Sequence, residues 1–394
     1  MKKLLMATTA VALMTATAVA AEEIKIGVEL GFTGPIESLT PQMGAGAELA
    51  MKEVSDSGKL LDGATVTSVR ADSTCIDAGA ATAAAERLVT SDGIKGMMGA
   101  DCSGVTGAIL SNVAVPNGLV MISPSATSPA LSTAEDNGLF FRTAPSDARQ
   151  GQVMADIIMD HGIKTVALTY TNNDYGKGLA DSFQSAYEKA GGTVTISAAH
   201  EDGKADYSAE VGALASAGGD MLVVAGYVDQ GGSGIVRAAL DSGAFDTFYF
   251  PDGMVSAKLE ETFGSEIDGS MGDNPGTDSP GAAKYAELVG DAFDSSSPFS
   301  PESYDAAALI MLAMQAAGSS DPAAYKDKVM DVANAPGEQI FPGELGKALD
   351  ILKNGGDIDY VGASAVELIG PGESAGNYRE MVIKDGKITT VKYR

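Results

Sequence analysis

The chain has no tryptophan, two histidines and two cysteines in 394 residues, and each scarcity removes a class of chemistry. His161 and His200 are far apart, and neither lies near a cysteine or a serine-rich turn, so a histidine-based triad has no support. The same scarcity leaves too few ligands, too widely spaced, for a metal centre. Both histidines are expected to be surface or capping residues. Positive charge is short as well: 26 Lys and Arg stand against 53 Asp and Glu, a formal charge of −27. A chain so acidic repels phosphate backbones and anionic lipid surfaces, which argues against nucleic-acid and membrane-surface partners. Long apolar runs are missing too. Leu4 to Val19 is interrupted by Thr8, Thr9, Thr15 and Thr17, and falls short of the ~20 apolar residues that span a bilayer.

That N-terminal stretch reads instead as a signal peptide over residues 1–20. Lys2 and Lys3 supply the positive start, and Ala18-Val19-Ala20 the small-x-small cleavage pattern. No cysteine follows the run, so a lipid anchor is not expected there. Export places Cys75 and Cys102 where thiols are usually oxidised, and a disulfide between them would close a loop of about 27 residues. The remainder of the chain is longer than one core of typical size holds, so two domains are expected.

Motifs of catalysis are also missing. There is no G-x-S-x-G elbow, no phosphate loop ending in Gly-Lys-Ser/Thr, no G-x-G-x-x-G after the first strand and no H-E-x-x-H. Asp268, Asp273 and Asp278 do not have the alternating spacing of a calcium loop, and Met271 to Pro280 reads as a solvated, irregular crossing segment.

What is present is a repeated alternation of strand-length apolar runs with helical patterns, the signature of a mainly parallel α/β sheet. Ile24, Ile26 and Val28 begin the first strand, and Ala45, Leu49, Met51 and Val54 mark the first amphipathic helix. After four such strands the pattern restarts near Met154, with strands at Val166 to Tyr170, Val194 to Ile196, Met221 to Val224 and Phe248 to Phe250. Ala306 to Met314 is a helix apolar enough to be buried between layers. Asp385-Gly386 predicts a type I′ hairpin between Glu380 to Lys384 and Lys387 to Tyr393.

Open α/β sheets bind ligands beyond the carboxyl ends of their strands. Three such places carry convergent polar groups: Ala100-Asp101-Cys102-Ser103-Gly104, Ser123-Pro124-Ser125-Ala126-Thr127-Ser128-Pro129 and Thr143-Ala144-Pro145-Ser146-Asp147. The first two offer hydroxyls and free N–H groups to an anion, the third a carboxylate to a cation. Together they describe a zwitterion held at both ends, although Ser103 and Asp147 could serve only as helix caps.

These residues, with Cys75 and Cys102, Ile122-Ser123-Pro124-Ser125-Ala126-Thr127, Phe141-Arg142-Thr143-Ala144, Gln150-Gly151, Tyr175-Gly176-Lys177-Gly178-Leu179 and Tyr304-Asp305-Ala306, resemble the leucine/isoleucine/valine-binding proteins. Those are type I periplasmic receptors of branched-chain amino-acid ABC importers. The resemblance covers nearly the whole exported chain. It implies two doubly wound α/β lobes joined by a three-crossover hinge, lobe 1 as residues 21–146 and 273–340 and lobe 2 as 147–272 and 341–394. It also implies a periplasmic monomer that needs no cofactor, catalyses no reaction and docks on permease subunits. By the same resemblance Ser103 and Thr127, helped by the amides of Ser125 and Ala126, hold the ligand carboxylate. Asp147 pairs with the α-ammonium, Asp252 faces it from the second lobe, and Tyr175 and Tyr227 line the far wall. Asp252 is shorter than the glutamate usual there, and Leu39 replaces a covering aromatic residue. Relatives that take amides, urea or aromatic acids, or that serve as sensors, keep the same fold, and an exported hydrolase is the reading from another class.

Overall fold

The computed structural model describes residues 22–394, so the signal-peptide reading of residues 1–20 lies outside the described residues. Five parallel strands, β1 (Glu23–Leu30), β2 (Thr65–Asp72), β3 (Gly96–Gly99), β4 (Met121–Ser123) and β5 (Phe140–Pro145), form the body of one sheet. A second sheet repeats the plan with β6 (Thr165–Thr171), β7 (Thr193–His200), β8 (Met221–Ala225), β9 (Phe248–Phe250) and β10 (Met271–Pro275). A small pair, β11 (Glu338–Ile340) and β12 (Ile358–Tyr360), stands apart. The short strands β13 (Leu368–Ile369) and β14 (Glu373–Ser374) extend the first sheet. The hairpin β15 (Tyr378–Lys384) and β16 (Lys387–Tyr393) extends the second.

Strand order is β13-β14-β5-β4-β3-β1-β2 in the first sheet and β16-β15-β10-β9-β8-β6-β7 in the second. Both are doubly wound, with the winding reversing between β1 and β3 and between β6 and β8. Ligand crevices of open sheets form at that reversal. Helices cover both faces, so the central strands are buried on both sides and read as apolar runs. Helix Ser300–Ala317 lies in the first lobe's core, buried from Ser303 to Gln315, as its composition predicts. Asp305 within it accepts hydrogen bonds from Tyr360 Oη, the Ala363 N–H and the Ser364 N–H and hydroxyl.

The chain crosses between sheets three times: between β5 and helix Asp147–Asp160, after β10, and between β14 and β15. Two of the expected lobe limits shift. Residues 273–275 belong to β10 and pair with β15, so the second crossover begins after Pro275. Residues 341–374 stay with the first lobe: helix Leu345–Lys353 buries Leu345, Ala348 and Leu349, and Gln315 of the core helix donates to the Leu349 carbonyl. Only the terminal hairpin returns to the second sheet. Its turn has φ of 52° at Asp385 and 72° at Gly386, as type I′ geometry requires.

Of the segment Met271 to Pro280, read as a solvated crossing loop, the first half is strand β10 and only the residues after Pro275 cross between the sheets. Asp273 of that strand is buried and accepts a hydrogen bond from Tyr249 Oη at 2.9 Å. Gly272 is needed there, because a Cβ would sit 2.3 Å from the Phe250 carbonyl oxygen. His200 also departs from expectation. It ends β7 in the interior, its Nδ1 2.9 Å from Thr169 Oγ1, and burial lowers its pKa to about 4, so it is neutral at physiological pH. Among the described residues no helix is long and apolar enough to cross a membrane.

Candidate functional site

Between the carboxyl ends of the two sheets lies a small closed-down cavity of about 20 Å³, room for little more than a water molecule, so a ligand must part the lobes to enter. Its first-lobe wall is Ile36, Leu39, Asp101, Cys102, Ser103, Ser125 and Phe299; its second-lobe wall is Tyr175, Tyr227, Asp252 and Gly253. Five of the eight expected ligand residues therefore meet here: Ser103, Ser125, Tyr175, Tyr227 and Asp252. Ala126, Thr127 and Asp147 do not line the cavity.

Asp147 opens helix Asp147–Asp160, with Ser146 as its cap accepting from the Ala148 N–H. The carboxylate is fully buried, and the Asp147 N–H donates to the Thr127 carbonyl, which ties the two expected site segments together. Gln150, one turn on, bridges the carboxylates: with its nitrogen facing them it donates to Asp147 Oδ1 at 3.3 Å and to Asp252 Oδ2 at 3.1 Å. Asp252 Oδ1 accepts from Tyr175 Oη at 2.6 Å and from the Gly253 N–H at 2.7 Å. Asp147 Oδ2 and Thr127 Oγ1 are buried with no well-formed hydrogen bond, although the Thr127 hydroxyl lies close enough to the Asp147 carboxyl to draw its pKa down.

Two buried carboxyl groups bridged by one amide nitrogen cannot both ionise cheaply. Burial raises Asp252 to about 6, against the bonds from Tyr175, Gly253 and Gln150 that pull it down. Burial likewise holds Asp147 well above its ordinary range, and the charge of Asp252 pushes it further in the same direction. Arg142 acts on Asp147 in the opposite direction, but that guanidinium is already engaged. It donates from Nη1 to the carbonyls of Ala126 and Ser128 and from Nη2 to Ser132 Oγ and to Glu373, the latter at 2.5 Å. Glu373 lies on β14, so the tail that joins the first sheet locks the loop over the site.

That loop differs from expectation in one respect. The N–H groups of Ser125 and Ala126 both point to Ser123 Oγ, at 3.3 and 2.9 Å, so they are spent within the loop and not free for a ligand carboxylate. Ser103 keeps a usable donor: its oxygen accepts from the Ser128 N–H at 3.0 Å while its hydroxyl hydrogen stays uncommitted. On the opposite wall Tyr175 and Tyr227 stack at 5.1 Å between ring centroids. Cys75 and Cys102 form a disulfide that contributes Cys102 to the cavity wall. At the rim the lobes touch directly: Ser38 N–H donates to Asp229 Oδ2 at 2.8 Å and Asp229 N–H to the Pro35 carbonyl at 3.1 Å.

Gln150, Asp101, Ile36, Gly253 and Phe299 are the site residues to which sequence reading gave no role. Gln150 and Asp101 lie inside segments singled out there, but nothing along the chain says which way either side chain turns. Among the described residues no cluster of three or more His, Cys, Asp or Glu could hold a metal ion.

Comparison with known proteins agrees with this architecture. The family described as periplasmic binding protein matches residues 23–344. Leu/Ile/Val-binding protein homolog 3 of Brucella melitensis is 32% identical over 314 residues, 78% of this chain and 83% of that protein. The leucine-, isoleucine-, valine-, threonine- and alanine-binding protein of Pseudomonas aeruginosa is 29% identical over 348 residues, 87% of this chain and 90% of its own. A solved leucine binding protein from Thermotoga maritima superposes with a TM-score of 0.79 at 22% identity, over 94% of this chain and 98% of that one. A solute binding protein from R. palustris in complex with benzoate reaches 0.75 at 19% identity, over 94% and 96%. The two solved structures share the fold, and their names carry different ligand chemistries.

Proposed function

Because the chain belongs to the periplasmic binding protein family, we propose that it is a periplasmic receptor that captures an α-amino acid, with aliphatic branched side chains foremost, for an ABC importer. The observation that carries this reading is the buried pair Asp147 and Asp252, of which Asp252 lines the cavity and Asp147 lies behind it, with no ion pair to either among the described residues and only the already engaged Arg142 acting on Asp147. A ligand ammonium supplies the cation. Burial of a charge is tolerated when the partner charge and hydrogen bonds come with it, and lobe closure strengthens both by excluding water. Ser103 offers a neutral hydroxyl donor for the ligand carboxylate from the cavity wall, and Thr127, behind that wall beside Asp147, offers a second once the ligand parts the lobes. The side chain then meets Ile36, Leu39, Phe299 and the stacked tyrosines.

An aromatic acid is the second reading, supported by the benzoate complex on the same fold. It fits this cavity poorly, because no Lys, Arg or His lines it and Asp252 would repel the carboxylate. The absence of an activated nucleophile in the sequence supports a receptor that performs no chemistry on its ligand. The Ser38, Asp229 and Pro35 contacts act as a rim clasp that favours the closed form.

Titration calorimetry with leucine and with benzoate separates the two readings. Leucine is expected to bind and benzoate not. The free carboxyl pair holds a proton that the ammonium must displace, so affinity rises with pH while that proton is present. It falls by up to about tenfold per unit as pH drops below the Asp252 value of about 6. Binding heats in buffers of different ionisation enthalpy should report proton release. Benzoate binding with a pH trend of the opposite sign would overturn the amino-acid reading.

A further inference from the structure

Asp101 is a carboxylate in the cavity wall that the zwitterion scheme leaves unused. It is 1% exposed and held by three neutral donors from three strand ends. Gly31 N–H donates to Oδ2 at 2.6 Å, Ser73 Oγ to Oδ1 at 3.0 Å and Cys102 N–H to Oδ1 at 2.9 Å. A carboxylate has about four acceptor positions, so Oδ2 retains one that these bonds do not fill. Ser103, the proposed carboxylate holder, lies two residues further along the same segment. Elsewhere on the first-lobe wall the Ser125 hydroxyl is committed to the Asp101 carbonyl at 3.0 Å, and Ile36, Leu39 and Phe299 offer no donor from their side chains.

We infer that Asp101 is a specificity-determining residue that makes the cavity prefer, among small branched amino acids, one whose side chain carries a hydroxyl. This rests on the amino-acid reading above and narrows it. The physical reason is that hydrogen-bonding capacity on a buried carboxylate is rewarded by a donor and penalised by a methyl group of the same shape. Threonine and valine form such a pair, since they differ by one hydroxyl in place of one methyl. A site built to hydrogen-bond a hydroxyl discriminates against the analogue that lacks it more strongly than an apolar pocket discriminates by size. Because three donors already serve Asp101, the expected preference is moderate.

The test is calorimetry of the full exported protein with threonine, valine and benzoate. Threonine is expected to bind at least about tenfold more tightly than valine. In Asp101→Asn the threonine-to-valine ratio should fall toward one, because the substituted amide turns a donor to the cavity or to Gly31. Equal affinities in the unsubstituted protein, or a preference for valine, overturn the inference and leave the amino-acid reading standing. So does an equal loss of both ligands in Asp101→Asn, which marks Asp101 as a strand tie only. Binding of benzoate with neither amino acid overturns the amino-acid reading itself. Should Asp101→Asn fail to fold, the ratio in the unsubstituted protein still decides.

Discussion

Asp147→Asn is expected to weaken amino-acid binding by about 100-fold or more and, at the same time, to raise the melting temperature of the ligand-free protein. The two effects have one cause. Asp147 is fully buried against Asp252, with no well-formed hydrogen bond to Oδ2 and Gln150 as the only bridge described between them. In the ligand-free protein this is a cost: burial raises both carboxyl groups, and the protein holds a proton that the unfolded chain would release. The sign follows. Acids with raised folded-state pKa values contribute their full stability only below the unfolded value near 4, and that contribution is lost as pH rises through the folded value, about 6 for Asp252. The amide removes this loss, so Asp147→Asn should be more stable than the parent at neutral pH and nearly equal to it near pH ~4. In the complex the ammonium loses a buried charge partner, and affinity drops. Thermal unfolding and calorimetry on the same preparation measure both. An affinity unchanged by the substitution would remove Asp147 from the site.

Cys102→Ser should have the largest effect on stability. The bridge joins residues 27 apart, and closing a loop of that length contributes about 3.5 kcal/mol through the unfolded chain. For a chain of this length unfolding as one unit that corresponds to a fall of roughly 4–5 °C in melting temperature. Ligand affinity should fall too, because Cys102 lines the cavity and its N–H helps hold Asp101. Reductant should reproduce the shift in the parent and add nothing in the variant. A parent whose melting temperature ignores reductant would contradict the assigned contribution.

The parts of the fold that were legible in the sequence are those set by local rules. Alternating strand and helix patterns gave two successive α/β segments with mainly parallel sheets, the family resemblance implied that both are doubly wound, and Asp385-Gly386 gave the terminal hairpin. Strand β10 was not legible, because Met271-Gly272-Asp273-Asn274-Pro275 carries turn-forming residues. Its polar side chains are satisfied only by tertiary partners, Asp273 by Tyr249 and Asn274 by Arg379 and the Pro275 carbonyl. The return of residues 341–374 to the first lobe was hidden for a similar reason. Helix Leu345–Lys353 shows its apolar face in sequence, but not which sheet that face meets.

The site divides the same way. Ser103 and Ser125 follow strand ends of the first sheet, where topology directs attention, whereas Tyr175, Tyr227 and Asp252 were reached through the family resemblance. The bridge through Gln150, the loop lock through Arg142 and Glu373, and the aim of Asp101 depend on side-chain direction across elements far apart in the chain. The expectation that the Ser125 and Ala126 amides face the ligand failed on a local detail, the capture of both by Ser123 Oγ.

The central claim is that a cation on the ligand completes the buried pair of carboxylates. A crystal structure with leucine bound tests it most directly. The ammonium nitrogen should lie within about 2.7–3.2 Å of a carboxylate oxygen of Asp147 or Asp252, with the leucine carboxylate toward Ser103 and Thr127. A ligand bound in the cleft with its ammonium turned away from both aspartates would contradict the account.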